Sequence, residues 1–394
     1  MTHYDYIILG AGASGLMMAR AMAEDPWFHS SKILVLDKDA KSQNDRTWCF
    51  WEESKGAFDH LIHKSWDHII FKSDRQDQRL AIDPYSYKML RADDFYREHL
   101  SIIENARHIE FKLANVNQVS EEPDLVRIDT SEGSFSAGIV MNSFFKYDRL
   151  YQQNKYPVLQ QHFIGWFVKA DRPVFDHKAA TFMDFSVPQK GNTRFMYVLP
   201  FSETEALVEY TLFSATPLEN EEYEEAIQSY MKDVIGTTEY SIIDKEKGSI
   251  PMTCFNFEQA NTDRIVHIGT AGGWAKASTG FTFKNTVRNS AKLSQHIKSG
   301  LPLTSFSTIS RFRFYDLLLL DILHTNNELG SKIFGSLFRK RSPQLILKFL
   351  DENSSKFQDL QVITGCPVVP FSKAFLNRLF FRKAANPKHP VSSA

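Results

Sequence analysis

The sequence predicts an α/β protein built around a Rossmann-like nucleotide unit, with a β-rich segment inserted into it and a helical C-terminal region. Three observations lead there. An apolar run at 4–9 enters a Gly-x-Gly-x-x-Gly turn at 10–15. A second apolar run, at 264–268, enters another glycine-rich turn. The 394 residues also exceed what one hydrophobic core usually supports. The expected division is a discontinuous nucleotide-binding domain at 1–150 and 260–300, with a substrate-side excursion at 45–85. A β-rich substrate domain then occupies 151–259 and a helical region 301–394.

The first unit has all its parts. Tyr4 to Leu9 reads as a strand, Met17 to Glu24 as a helix, and Lys32 to Leu36 as a second strand ending at Asp37. Gly10 allows the tight turn, Gly12 lets the backbone approach a pyrophosphate, and Gly15 permits close helix–sheet packing. The candidate phosphate-binding residues are therefore Gly10, Ala11, Gly12, Ser14 and Gly15, at the positive end of the helix. Asp37, 22 positions after Gly15, is the candidate acid for the ribose hydroxyls. A lone glycine turn is weak evidence, but here strand, helix, second strand and acid occur together. Fold analogy places such a unit at the start of many flavoproteins and favours FAD over NAD.

Tyr87 to Leu100 reads as a helix opened near Arg91. It resembles the helix that follows an arginine in aromatic-hydroxylase-like flavoproteins, where that arginine helps hold the flavin nucleotide. A solvated helix-start residue is the other reading of Arg91. Short strands follow at Glu110–Leu113, Val116–Val119, Leu125–Asp129 and Ser134–Val140, the last returning to the nucleotide domain. Far along the chain, Arg264 to Ile268 is a strand that meets Gly269-Thr270-Ala271-Gly272-Gly273-Trp274 and then Ser278-Thr279-Gly280-Phe281. A helical stretch runs from Lys284 to Lys298. Backbone N–H groups in such a turn suit the far end of a flavin, so Gly269, Thr270, Gly272, Gly273, Thr279 and Gly280 are candidate contacts. A purely structural turn is the alternative. In the flavoprotein superfamily this strand usually ends Gly-Asp, and Thr270 stands here in place of the aspartate.

Composition excludes other classes. A net charge of −1 argues against a nucleic-acid partner. Cys49, Cys254 and Cys366 are dispersed and odd in number, so neither a disulfide framework nor a metal site is expected, and a reducing cytoplasm fits. The first residues show neither a basic n-region nor a signal-peptide h-region, and no apolar run is long enough to span a bilayer, so neither a signal peptide nor a transmembrane helix is expected. The 13% aromatic content, with 32 Phe, reads either as a Phe-rich core or as a tunnel for a long apolar substrate.

Three segments resemble the lycopene β-cyclase family. They are Gly269 to Phe283, the Asn44-Asp45-Arg46-Thr47-Trp48-Cys49-Phe50-Trp51 element, and Leu207-Val208-Glu209-Tyr210-Thr211. Together they keep the family's order as far as residue 300. The resemblance implies an FAD-binding, aromatic-hydroxylase-like fold. It also implies FAD-dependent, redox-neutral closure of lycopene ends into β-ionone rings, through γ-carotene to β-carotene. Reduced FAD is then the active form, with NAD(P)H as its electron source. One departure stands out: Tyr210 occupies the position of the family's second acid.

On that resemblance Glu209 is the candidate general acid, kept protonated if it is buried among apolar groups. A solvated strand carboxylate is the alternative. A tertiary carbocation would be stabilised by the charge of the reduced flavin and by aromatic faces. Trp48, Phe50, Trp51, Tyr210, Trp274 and Phe281 are candidates, each with core packing as the competing reading. Asp45 and Arg46 are read as an ion pair beside the flavin, with Arg46 a candidate cofactor contact, or as ordinary surface charges. A carotenoid substrate requires contact with a membrane, here peripheral. The expected contact is the helical face of Ile333, Phe334, Leu337 and Phe338 beside Arg339–Arg341, echoed at 375–383, with an ordinary amphipathic helix packed on the domain as the alternative. Residues 384–394 read as a frayed tail. The rival readings are an NAD(P)H-consuming monooxygenase or prenyl-lipid reductase on an apolar substrate, and a non-catalytic flavin or carotenoid binder.

Overall fold

The computed structural model describes residues 1–381, so the tail expected at 384–394 and the end of the 375–383 segment lie outside the described residues. Its first sheet has seven strands. Ile109–Leu113, Ile33–Asp37, Thr2–Leu9 and Gly133–Asn142 lie side by side in parallel, followed by antiparallel Val126–Thr130 and Val116–Glu121. Ile265–His267 joins parallel to Gly133–Asn142, bringing the distal segment back beside the first strand. Thr2–Leu9 and Ile33–Asp37 carry Ile7, Ile8, Leu9, Ile33, Leu34, Val35 and Leu36, all fully buried. Continuous apolar runs of this kind suit parallel strands covered on both faces.

Helix Ala13–Glu24 follows the first turn and packs against helix Phe283–Lys298 and helix Ala92–Asn105. Gly10 needs its glycine, because its φ is +94°. Gly15 needs its own for a different reason. A Cβ there would stand 1.8 Å from the Gly10 carbonyl oxygen, so the helix approaches the strand end closely only without one. The helix expected around Arg91 begins one residue later, at Ala92; Tyr87 to Leu90 belong to strand Ser86–Arg91 instead. That strand pairs with Thr47–Glu52 and Ile62–Trp66 in a three-stranded sheet.

A second seven-stranded sheet faces the first domain. Its order is Tyr240–Met252, Leu159–Ala170, Glu205–Ser214, Thr193–Pro200, Ala180–Asp184, His68–Ser73 and Gln76–Ala81. One face of its centre is covered by helix Asn220–Tyr230, forming a core with Val208, Tyr210, Leu212, Tyr223 and Ile227. Helix Leu329–Lys340 crosses the other face over Thr193–Pro200 and His68–Ser73. Ile333, Phe334, Leu337 and Phe338 point inward there, at 2–8% exposure. This corrects the lipid-facing role expected for them: helical periodicity identifies one apolar face, and packing turns that face toward the sheet. The three cysteines are free.

Candidate active site

The carboxyl ends of the parallel strands meet at one place, where open α/β sheets bind ligands. Gly10, Asp37, Ser143 and Gly269 each follow or end one of these strands. A cavity of about 540 Å³ starts here and runs between the two large sheets. Gly12, Ala13, Ser14, Ser143, Gly269 and Thr270 line its near end. Arg46, Trp48, Thr279, Gly280 and Phe281 line its middle. Glu209, Glu246, Phe195, Phe213, Phe334 and Phe338 line its far end.

The near end is built to take a nucleotide phosphate. Helix Ala13–Glu24 starts at the cavity wall, so its unpaired N–H groups and positive dipole end lie there. A Cβ added to Gly12 would meet no protein atom within 4 Å, so that backbone is open to close approach. Asp37 lies behind the turn: its carboxylate accepts the Ala11 N–H at 2.6 Å and the Asp39 N–H at 2.8 Å. It thereby braces the glycine loop. In the middle, Thr279 Oγ1 and Gln161 Oε1 are buried without a hydrogen-bond partner, and both residues line the cavity. Unpaired buried polar atoms of this kind are costly, and a ligand with its own donors and acceptors would satisfy them.

Several expected contacts lie elsewhere. Arg91 is off the cavity, 3.8 Å from the Asp93 carboxylate. Gly272, Gly273 and Trp274 line a separate hollow of about 300 Å³ behind the turn. Phe50 stacks on Phe283 in the nucleotide-side core. Trp51 is locked by its indole N–H donating to the Leu347 carbonyl at 3.0 Å. Of the six aromatic candidates, only Trp48 and Phe281 face the cavity. The expected Asp45–Arg46 ion pair does not form among the described residues. The Asp45 carboxylate accepts the Tyr96 hydroxyl at 2.8 Å, and Arg46 donates to the Asp45 backbone carbonyl.

Tyr210 faces away, and the reason is elementary. Successive side chains of a strand point to opposite faces. In Glu205–Ser214, Leu207, Glu209, Thr211 and Phe213 turn to the cavity, while Val208, Tyr210 and Leu212 turn to helix Asn220–Tyr230. The Tyr210 hydroxyl takes a hydrogen bond from Arg194 at 3.3 Å. A carboxyl at that position would share its neighbours and could not join Glu209.

Glu209 is 7% exposed, and the solvated reading fails. Burial, and the Glu246 carboxyl beside it, push its pKa well above the ordinary carboxylate value; the Thr211 hydroxyl that donates to it opposes this. Glu246, 9% exposed, comes from Tyr240–Met252 and is pushed up to about 7 by burial, although the Thr47 hydroxyl donates to it at 2.8 Å. Sequence reasoning missed it. Asp244-Lys245-Glu246-Lys247 reads as a solvent-facing charged stretch, and only alternation along the strand, taken with its pairing, separates Glu246 from the lysines.

The nucleotide-type sheet, with glycine turns opening on an apolar cavity that ends at buried carboxyls, defines a flavoprotein-type α/β enzyme fold. Across 96% of its length the chain is similar in structure to 99% of a flavoprotein/dehydrogenase from Cytophaga hutchinsonii, at 12% identity and a TM-score of 0.62. Across 97% it is similar to 98% of a geranylgeranyl bacteriochlorophyll reductase-like protein from Thermoplasma acidophilum, at 13% identity and a TM-score of 0.58. The family model described as "Lycopene cyclase protein" matches residues 5–376, and the chain belongs to the lycopene cyclase family. It is 22% identical to the lycopene beta-cyclase of Paracoccus sp. (strain N81106 / MBIC 01143), over 95% of this chain and 96% of that protein.

Proposed function

We propose that this enzyme closes the ends of lycopene into β-ionone rings, by way of γ-carotene to β-carotene, with no net redox change. One observation carries the reading: a buried carboxyl, Glu209, its pKa pushed well above the ordinary carboxylate value by burial, stands at the apolar end of a cavity whose other end suits a dinucleotide. Gly12, Ser14, Gly269, Thr270, Thr279 and Gly280 would hold FAD along that cavity, with Gly10, Ala11, Gly15 and Asp37 shaping the first turn. FAD in its reduced form, with NAD(P)H as electron source, would supply negative charge beside the reacting end of the substrate.

The protein's own groups do the rest. The neutral Glu209 carboxyl protonates the terminal alkene, because desolvation has already removed the advantage of its ionised form. Trp48 and Phe281 offer ring faces to the resulting cation, a contact worth ~0.5–2 kcal/mol each. Phe195, Phe213, Phe334 and Phe338 keep water from that end of the cavity, so that the cation meets the internal alkene and not a hydroxide. Expression in lycopene-accumulating cells is expected to yield γ- and β-carotene. Unchanged lycopene, or hydroxylated or saturated products formed with stoichiometric NAD(P)H loss, would overturn the reading.

A carotene must be drawn from a lipid phase, and no helix among the described residues is long and apolar enough to cross a membrane. Helix Val368–Phe381 supports a peripheral contact better than Leu329–Lys340 does. Its Val368, Val369, Phe375, Leu376, Leu379 and Phe380 are all exposed, Val369 at 78% and Phe380 at 72%. At ~100° per residue these six form one stripe about 140° wide. Replacing Leu379 and Phe380 with Ser is expected to abolish most co-sedimentation with liposomes, while neutralising Arg339–Arg341 leaves the apolar contribution in place. Full retention by the Leu379/Phe380 variant would remove this helix from the interface.

A further inference from the structure

We propose that Glu246 is the base of the reaction and that Glu246 and Glu209 work across Gly165 as a single carboxyl dyad; this rests on the cyclase reading above. The strand register brings them together. Gly165 of Leu159–Ala170 is paired on one side with Glu209 and on the other with Glu246, so the three residues form a row on the cavity face of the sheet. The middle position carries no side chain. A Cβ built on Gly165 would stand 2.8 Å from the Leu207 Cδ1, 3.2 Å from the Glu246 Cγ and 3.4 Å from the Glu209 Cβ. The two acids, two strands apart, therefore flank one position without a side chain, with Leu207 beside them, and both line the cavity. In this chain the second acid thus comes from a different strand, since position 210 faces away.

The surroundings leave these two groups to titrate with each other. Around Glu246 stand Arg46, the Thr47 hydroxyl, Asp244 and Glu209. Around Glu209 stand Thr211, Glu246, Cys49, Tyr87 and Tyr197. Burial pushes the Cys49 thiol up to about 12 and both tyrosines well above their ordinary value, so they stay neutral. Lys245 and Lys247 point to the opposite face, toward Glu224 and Asn220. Burial raises both carboxyls, and their contact raises Glu209 further while lowering Glu246, so in the proposed cycle Glu209 takes the part of the acid and Glu246 that of the base.

The atoms balance without a co-reactant. The Glu209 O–H bond breaks as the π pair of the terminal alkene forms a new C–H bond, leaving a tertiary cation. The π pair of the internal alkene then forms the ring C–C bond. Glu246 removes a ring proton, and that C–H pair becomes the ring double bond. Glu246 now holds the proton and Glu209 the charge. Transfer of the proton across the pair restores the starting state, and the product is an isomer of the substrate.

The test is the pH dependence of kcat/KM for the flavin-loaded enzyme on lycopene in liposomes. The wild type is expected to show a bell, its acid limb set by Glu246 near neutrality and its alkaline limb by Glu209. Glu246→Gln should lower the rate by ~10²-fold or more, erase the acid limb and move the alkaline limb to lower pH, because the negative neighbour is gone. Glu246→Asp should restore the acid limb. Thr47→Val keeps both carboxyls and removes a hydrogen bond that favours the Glu246 anion, so its acid limb should move to higher pH. Flavin absorbance and thermal melting establish that each variant is folded and loaded. A folded Glu246→Gln with the wild-type bell overturns the proposal. Should that variant not fold, an unmoved acid limb in Thr47→Val overturns it instead. Absence of ring products from the wild type overturns the cyclase reading, and the dyad with it; ring products together with an unaltered bell in the variants overturn the dyad alone.

Discussion

Glu209→Gln is expected to abolish ring closure, with a loss of ~10²–10⁴-fold, the range lost with a general acid, while the flavin stays bound. The amide keeps the shape of the side chain, and the Thr211 hydroxyl can still donate to its oxygen. What is lost is the carboxylic O–H placed to protonate an unactivated alkene; Glu246, the other carboxyl at this end of the cavity, cannot then serve as both acid and base. Cys49 and Tyr197 are cavity residues with protons of their own, but burial has made both weaker acids than usual. The pH dependence has a definite sign. Glu209 is raised well above the ordinary carboxylate value, so its neutral form persists to higher pH than that of a free carboxyl and is lost as the pH climbs past the raised pKa. Activity should therefore fall on the alkaline side for that reason, and Glu209→Asp should retain part of it. Pigment analysis and flavin absorbance on the same samples decide the matter. Undiminished β-carotene formation by Glu209→Gln would end the acid assignment, and loss of the flavin would show a structural role.

Why some of this was legible in the sequence and some was not follows from the range of the forces involved. Strand Thr2–Leu9, the turn at Gly10 to Gly15 and helix Ala13–Glu24 are written locally, in an apolar run, glycines at fixed spacing and helix-favouring residues. Asp37 stood out because it ends a buried strand, although its carboxylate braces the loop through Ala11. Glu209 is marked by a motif, and its burial comes from the sheet and from Cys49, Tyr87 and Glu246 around it. Non-local facts were out of reach. Periodicity groups Phe334, Leu337 and Phe338 on one face but does not say whether that face meets lipid or protein. Adjacency to Glu209 in the motif groups Tyr210 with the cation-stabilising aromatics, yet neighbours along a strand part company by geometry. Glu246 becomes a partner only when Leu159–Ala170 is inserted between the two acid-bearing strands. Trp51 and Trp274 looked like cavity aromatics because they stand beside motif residues, and each is used in packing instead.

Lys276→Met is expected to destabilise the protein by ~3–5 kcal/mol, the usual consequence of stripping one partner from a buried ion pair. The Lys276 side chain is 1% exposed, and its ammonium donates to Asp316 at 3.0 Å and to Glu352 at 3.1 Å. Those carboxylates belong to helix Phe312–Thr325 and to the turn after helix Pro343–Leu350, so this ion triad ties the cavity loop to the helical region. The loop is short: the Lys276 carbonyl accepts the N–H of Thr279 and of Gly280, and the Lys276 N–H donates to Phe281. Thr279, Gly280 and Phe281 should therefore lose their fixed positions together with the anchor. The pH dependence separates lost charge from lost packing. Even with Lys276 present, burial raises the Asp316 pKa above its ordinary value. A carboxyl raised in the folded state costs stability above its unfolded pKa of ~3.9, and the cost disappears as the pH falls below it. Removing Lys276 raises Asp316 further, while the Lys276 contribution is fully present anywhere below ~10. The deficit of Lys276→Met should thus be greatest at neutral pH and shrink steadily toward pH ~4. Lys276→Met combined with Asp316→Asn should recover part of it at neutral pH, because no uncompensated charge stays buried at position 316. Denaturant unfolding of the four proteins of this cycle measures the terms directly. A deficit that does not vary with pH, or no recovery in the double variant, would mean that Lys276 supports the loop by packing and not by charge.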